Sequence, residues 1–246
     1  MHELIKSSIA AHGGQTQWNR ISRIAVSFKA DGIAFKQRGQ EGFTQNPLIV
    51  AVDTLRQHVV LDPFPGHGKI GVFEARAVAI ESQYGELLEE LKHPRESFAE
   101  MIPGTPWSSL QLAYFVGYGL WMYLTVPFSL LHDGVTCEEV DPWVEDGEMW
   151  RALKVTFPPS YVTHSSEQTL YFDATGLLRR HDYVVEISGG NRVAHYLYDH
   201  RTFDGIVFAT RRRVYLRNED GSPQKGLAII SADLSDFHLG FLADRS

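Results

Sequence analysis

Cysteine is almost missing from this chain: Cys137 is the only one in 246 residues. An internal disulfide and a cysteine-rich metal site are thereby excluded. Cys137 lies beside Glu138, Glu139 and Asp141, acids that raise a thiol pKa, so an inert cysteine is expected. Net positive charge is missing too. At −7, the chain has no general attraction to nucleic acid or to an anionic membrane. Its start, Met1-His2-Glu3-Leu4-Ile5-Lys6, lacks a basic stretch followed by an apolar run and a small-residue cleavage site, and no lipid-acceptor cysteine stands near it. A cytoplasmic protein is expected. There is no internal repeat, low-complexity tract or Gly/Ser linker, so one domain spanning residues 1–246 is expected.

Catalytic signatures are equally scarce. The chain contains no G-x-S-x-G elbow and no H-E-x-x-H pair. Phe64-Pro65-Gly66-His67-Gly68-Lys69 has glycines and a lysine but not the spacing of a phosphate loop. His164, His181, His195 and His200 fall on or near neighbouring predicted strands, with Asp182 and Asp199 close by. No close-spaced ligand pattern joins them, so neither a bound metal nor a cofactor is expected.

What is present is apolar material: 43% hydrophobic residues and 12% aromatic, enough for a sizeable core. Leu4, Ile5 and Ile9 share one side of a short helix over Glu3–His12, stopped by Gly13-Gly14. Ile24, Val26 and Phe28 alternate with smaller or polar residues as a half-buried strand. Further strands are predicted over Leu48–Val52, Leu55–Leu61 and Arg76–Glu81, with a Pro/Gly loop after Leu61. Glu86–Lys92 has helical leucine spacing but is pinned between Gly85 and Pro94, which favours a hairpin strand against Arg76–Glu81.

Trp107–Leu131 contains no charged residue. Gly117, Gly119 and Pro127 interrupt it, and no basic cluster flanks it. It reads as a buried helix rather than a membrane span. From Met149 onward a meander is predicted: Met149–Phe157, Glu167–Phe172, Leu177–Ile187, Arg192–His200 and Ile206–Arg217, separated by hairpin turns.

The turns set a register. If Gly189-Gly190 is a two-residue loop, Tyr183 faces Tyr196 and His181 faces Tyr198; if Asp204-Gly205 is another, Tyr198 faces Arg211 and Tyr196 faces Arg213. One face then collects His181, Tyr183, Tyr196, Tyr198, His200, Arg211, Arg213 and Tyr215. Arg180 would meet Asp199 on the other face, and Gln168 would come beside His181. A one-residue slip exchanges the faces. Such an aromatic and basic face suits either a wet outer surface or the wall of a concave pocket.

The Ala11-His12-Gly13-Gly14 stop, Trp18, the strand at Ile24–Phe28 and the closing hairpins over Leu177–Arg217 resemble proteins with the fold of the LolA/LppX lipoprotein carriers. That resemblance implies an α+β fold: a strongly curved antiparallel sheet, an unclosed barrel, around a hydrophobic cavity for an acyl chain. Trp107–Leu131 would plug the concave face. This chain departs from the carriers in lacking an export signal and a lipidation site, which puts lipoprotein transport in doubt. Two functions are expected on these grounds. The first is binding of a hydrophobic or amphipathic small molecule, without nucleic acid or stable membrane insertion, by Tyr183, Tyr198, Arg211, Arg213, Tyr215, Trp121 and Gln168. The second is a cofactor-independent lyase or isomerase, for which the resemblance offers an analogy in the violacein-pathway rearrangement enzyme. His181 and His200 would exchange protons in it and Tyr196 would donate a hydrogen bond.

Overall fold

In the computed structural model, which describes residues 2–102 and 104–242, the first helix is α1 (Glu3–Ala11), burying Leu4, Ile5 and Ile9. It ends where the Gly14 amide donates back to the Ile9 carbonyl at 2.8 Å. Gly13 has φ of +113°, and a Cβ there would lie 2.1 Å from the Gly205 carbonyl oxygen. Glycine is therefore required twice over, by backbone conformation and by close approach. A single turn, α2 (Gln15–Trp18), carries Trp18 onto the Phe128 ring at 4.2 Å.

The strands are β1 (Ile21–Asp31), β2 (Leu48–Asp53), β3 (His58–Asp62), β4 (Lys69–Glu74), β5 (Ala77–Ser82) and β6 (Leu87–Lys92) in the first half. Those of the second half are β7 (Thr136–Glu145), β8 (Glu148–Thr156), β9 (Glu167–Phe172), β10 (Leu178–Val185), β11 (Asn191–Phe203), β12 (Ile206–Leu216) and β13 (Ile230–Phe241). They form one antiparallel sheet of 13 strands in the order β6-β5-β4-β3-β2-β1-β13-β12-β11-β10-β9-β8-β7. The first and last strands pair at its centre, and β6 and β7 are free edges, so the barrel is unclosed. A short helix, α3 (Ile33–Lys36), follows β1.

Between the halves in sequence runs α4 (Ser109–Thr125), opened by a capping box in which Ser108 and Gln111 satisfy each other's backbone amides. The apolar run thus yields a helix shorter than its uncharged stretch. Pro127, which cannot continue the hydrogen-bond ladder, stands just past its end, followed by a 3-10 turn over Phe128–Leu131. No helix among the described residues is long and apolar enough to cross a membrane.

On one side α4 packs on β2 to β5. Gly117 lies so close to β4 that a Cβ would sit 2.4 Å from Phe73 Cβ, and Trp121 Nε1 donates to the Asp53 carbonyl at 2.7 Å. On the other side Tyr123 reaches Tyr183 of β10 and Arg212 of β12. One helix can touch both arms only because the sheet curls around it.

β4, β7 and β13 were not legible in the sequence. The β3 strand also starts later than predicted, because Asp53 accepts from the Leu55 amide and turns the chain there. The Glu86–Lys92 segment does form a hairpin strand, β6, on β5.

One register departs from expectation, with consequences for the site. Asp204-Gly205 is a two-residue turn with both residues at positive φ, and it pairs Tyr198 with Arg211 and Tyr196 with Arg213 as predicted. Gly189-Gly190 is not. Glu186–Ser188 adds a 3-10 turn before the glycines, and Val185 pairs with Asn191. His181 therefore faces His195 instead of Tyr198, and Tyr183 faces Val193 instead of Tyr196. The displacement is odd-numbered, so it exchanges the faces of β10 relative to β11.

Candidate functional site

Because of that register, the face turned toward α4 presents His181, Tyr183, His195 and Arg212. The strand residues beside Arg212 explain its direction: Ile206, Phe208 and Val214 share its face by period-two alternation, and all are buried. The loop between β8 and β9 adds His164, and α4 adds Tyr118 and Tyr123.

These groups are wired together. The His164 Nδ1 hydrogen-bonds the Tyr118 hydroxyl at 3.1 Å and its Nε2 the Tyr123 hydroxyl at 2.6 Å. Tyr123 and Tyr183 hydroxyls are 2.7 Å apart, and the His164 ring stacks on Tyr183 at 4.1 Å. The Tyr183 hydroxyl reaches His195 Nδ1 at 3.5 Å. His181 bonds the Gln168 side-chain oxygen, whose amide in turn donates to Thr163 and to the Ser165 carbonyl.

Burial controls the charge state of this cluster. Desolvation pushes the His181 imidazole down to about 3 and holds His164 and His195 well below the usual range, helped by neighbouring cations and imidazoles. The same effect raises the Tyr118, Tyr123 and Tyr183 phenols. At neutral pH the histidines and tyrosines are uncharged.

Arg212 is the charged member. It is 4% exposed, and burial lowers its pKa to about 10. Its Nη2 donates to the Tyr123 carbonyl at 2.7 Å, and its guanidinium lies 5.2 Å from the Tyr123 ring centre. Among the described residues it has no carboxylate partner within ion-pair distance. Its Nε and the His195 Nε2 are buried without any hydrogen-bond partner.

Two cavities adjoin this cluster. One, of about 480 Å³, lies among α3, α4 and β11 to β13, with Trp107, Val193, Leu216 and Ile229 in its walls and Gln37, Arg38, Ser188 and Asn191 as its polar members. Arg38 is tied to Ser188 Oγ at 2.6 Å and lies over the Trp107 ring. Ile33 and Leu227, also in its lining, are exposed. The second cavity, of about 40 Å³, is bounded by Arg212, His195, His164, Tyr123 and apolar side chains. The two share Phe35, Phe115 and Ile230 as walls.

The residues singled out from the sequence are divided between the faces. His181, Tyr183 and Gln168 belong to the inner cluster. Tyr196, Tyr198, Arg211, Arg213 and Tyr215 lie on the opposite face. There Tyr196 donates to Glu145 at 2.9 Å, and Tyr198 and Tyr215 line a separate outer depression with Trp150 and Lys225. Arg211 is exposed and paired with Asp199, and Arg213 is paired with Asp233. Arg180, expected opposite Asp199, instead clamps Asp182 through two bonds of 2.6 and 2.7 Å. His200 bonds the Leu178 carbonyl and meets the edge of His12. Trp121 is a packing residue against Tyr161 and His132. Among the described residues no group of His, Cys, Asp and Glu side chains is arranged to hold a metal ion.

Sequence reasoning missed Arg212 and, having weighed His195 only as a metal ligand, the place of His195 in this cluster; it also missed Tyr123 and Phe115. A signal for the first two existed: Val193 and Leu197 flank His195, and Val214 and Leu216 follow Arg212, at the spacing of a core-facing strand.

No protein-family model matches the chain, and no curated protein matches it in sequence. Solved structures do. A LolA superfamily protein from Nitrosomonas europaea superposes with a TM-score of 0.54 at 10% identity, covering 98% of this chain and 94% of that one. A DUF1329 family protein from Desulfovibrio piger gives 0.55 at 12% identity, over 96% and 91%. The fold is LolA-like. In this LolA-like fold the cavities lie between the curled sheet and the helix it embraces, as the sequence resemblance implied.

Proposed function

We propose that the protein binds a hydrophobic or amphipathic small molecule in the cavity between α4 and β11–β13. The observation that carries this is the cavity itself: about 480 Å³ with mainly apolar walls and a few polar groups, a size and chemistry typical of ligand sites. The LolA-like fold supports the same reading, since the resemblance drawn from the sequence implies a hollow for an acyl chain. Binding is favoured over acid-base catalysis because an imidazole pushed down to about 3, such as His181, is a weak base at neutral pH.

Organic extraction of the purified protein followed by mass spectrometry, together with uptake of a fluorescent apolar dye, tests the proposal. Val193→Trp should fill the cavity and abolish dye uptake while the protein stays folded. Dye uptake that is absent in the parent protein, or unchanged in the variant, would count decisively against this cavity.

A further inference from the structure

Arg212 and His195 are left incomplete in a way that the fold does not explain. Both side chains are more than nine-tenths buried, both border the cavity of about 40 Å³, and each has a nitrogen with no partner, Nε of Arg212 and Nε2 of His195. A buried cation without an anion nearby is costly, and a buried donor without an acceptor is costly again. Elsewhere in the same sheet Arg180, equally buried, has a bidentate carboxylate. Arg212 has only a carbonyl and a ring.

The strands show where an anion would meet these two nitrogens. Along β12, Leu216 borders the large cavity and Arg212 the small one; along β11, Val193 borders the large cavity and His195 the small one. Same-face residues step by roughly 7 Å along a strand, so the small cavity lies one to two steps deeper behind the shared walls Phe35, Phe115 and Ile230. Its volume of about 40 Å³ is well above the roughly 10–15 Å³ that a single water needs, so a small polar head group fits. A carboxylate, with one negative charge, also matches the single Arg212 cation, whereas a phosphate monoester carries about −1.5 to −2 at neutral pH.

Building on the binding function above, we infer that the ligand is an amphipathic monocarboxylate, held head-inward: its carboxylate on Arg212 and His195, its aliphatic tail passing Phe115 into the large cavity. Arg212 supplies charge-assisted donors, and His195 supplies a neutral N–H when its Nε2 carries the proton.

Calorimetric titration of the protein with dodecanoate, methyl dodecanoate, dodecyl phosphate and dodecylammonium tests this. Dodecanoate should bind at least ten-fold more tightly than the ester or the phosphate, with the ammonium weakest. In Arg212→Met the acid and the ester should bind within about three-fold of each other, with ester affinity kept. Arg38→Met, at the large cavity, should reduce the acid preference far less than Arg212→Met does. Equal binding of acid and ester by the parent protein overturns the head-group assignment while leaving the apolar cavity standing. So does an acid preference that survives Arg212→Met or vanishes in Arg38→Met. Failure of all four probes overturns both. Because the acid-to-ester comparison uses the unaltered protein, misfolding of a variant does not rescue the assignment.

Discussion

Arg180 and Arg212 are both buried arginines, and their surroundings separate a structural charge from an available one. Arg180 is enclosed by the Trp143, Tyr171 and Tyr196 rings at 4.6 to 5.5 Å, with Asp182 and Glu145 as counterions. Its hydrogen-bonding capacity is used up, and it anchors the β12–β13 loop through the Gly221 carbonyl. Arg212 has capacity to spare. The buried histidines make a different statement, about acid stability. Desolvation lowers His12 and His200 from 6.5 to about 4, and His181 to about 3. Between pH 6.5 and about 4 the unfolded chain therefore holds protons that the folded protein refuses, so folding stability falls as pH falls through that window. His12 alone should contribute a loss of roughly 3 kcal/mol, at about 1.36 kcal/mol per pH unit. Urea unfolding measured at steps from pH 7 to 4 should show this decline; a flat profile would contradict the neutral, desolvated state assigned to these imidazoles.

At the scale of the elements, α4 is placed by glycine. A helix with large residues at every position could not approach β4 as closely as Gly117 permits. Alanine is worth about 1 kcal/mol more than glycine in a helix interior, yet here its methyl would overlap the Phe73 side chain. Overpacking of that kind costs about 1–3 kcal/mol. Gly117→Ala should accordingly lower the thermal midpoint by several degrees, checked by calorimetry, despite the better helix former; an unchanged or raised midpoint would mean that α4 does not press on β4. The sheet edges show the opposite strategy. β6 carries Glu89, Glu90 and Lys92, and β7 carries Glu138, Glu139, Asp141 and a proline, charges and a missing donor that discourage pairing with other chains.

The whole molecule depends on one long-range seam. β1 pairs with β13, so the arm built first and the arm built last join only when the chain is nearly complete. Pairings of such separation form slowly and give little reward until they are made. Truncation before Ile230 should therefore remove the cooperative thermal transition instead of merely lowering its midpoint. A sharp calorimetric peak from the truncated chain would show that the arms fold independently.

The apolar alternation of β1, β2, β8 and β12 and the stop at Gly13-Gly14 were legible because local periodicity and backbone freedom specify them. So was the uncharged α4, through its length without charge. β7 and β13 were not legible, since bulges beside Pro142 and at Asp236 break their period. Likewise the thiol of Cys137 is raised to about 11 by burial, where the sequence pointed to acidic neighbours. By itself, then, the amino-acid order determined most of the element types and part of the residue pool of the site, His164, His181, Tyr183 and Gln168 among it, and carried the resemblance that implied an unclosed antiparallel sheet. Which members of that pool face inward was decided only in three dimensions. A 3-10 turn before Gly189 shifts β10 against β11 by an odd number of residues, and in a pleated sheet that step sends His195 and Arg212 to the cavity beside His181 while Tyr196, Arg211 and Arg213 turn away from it.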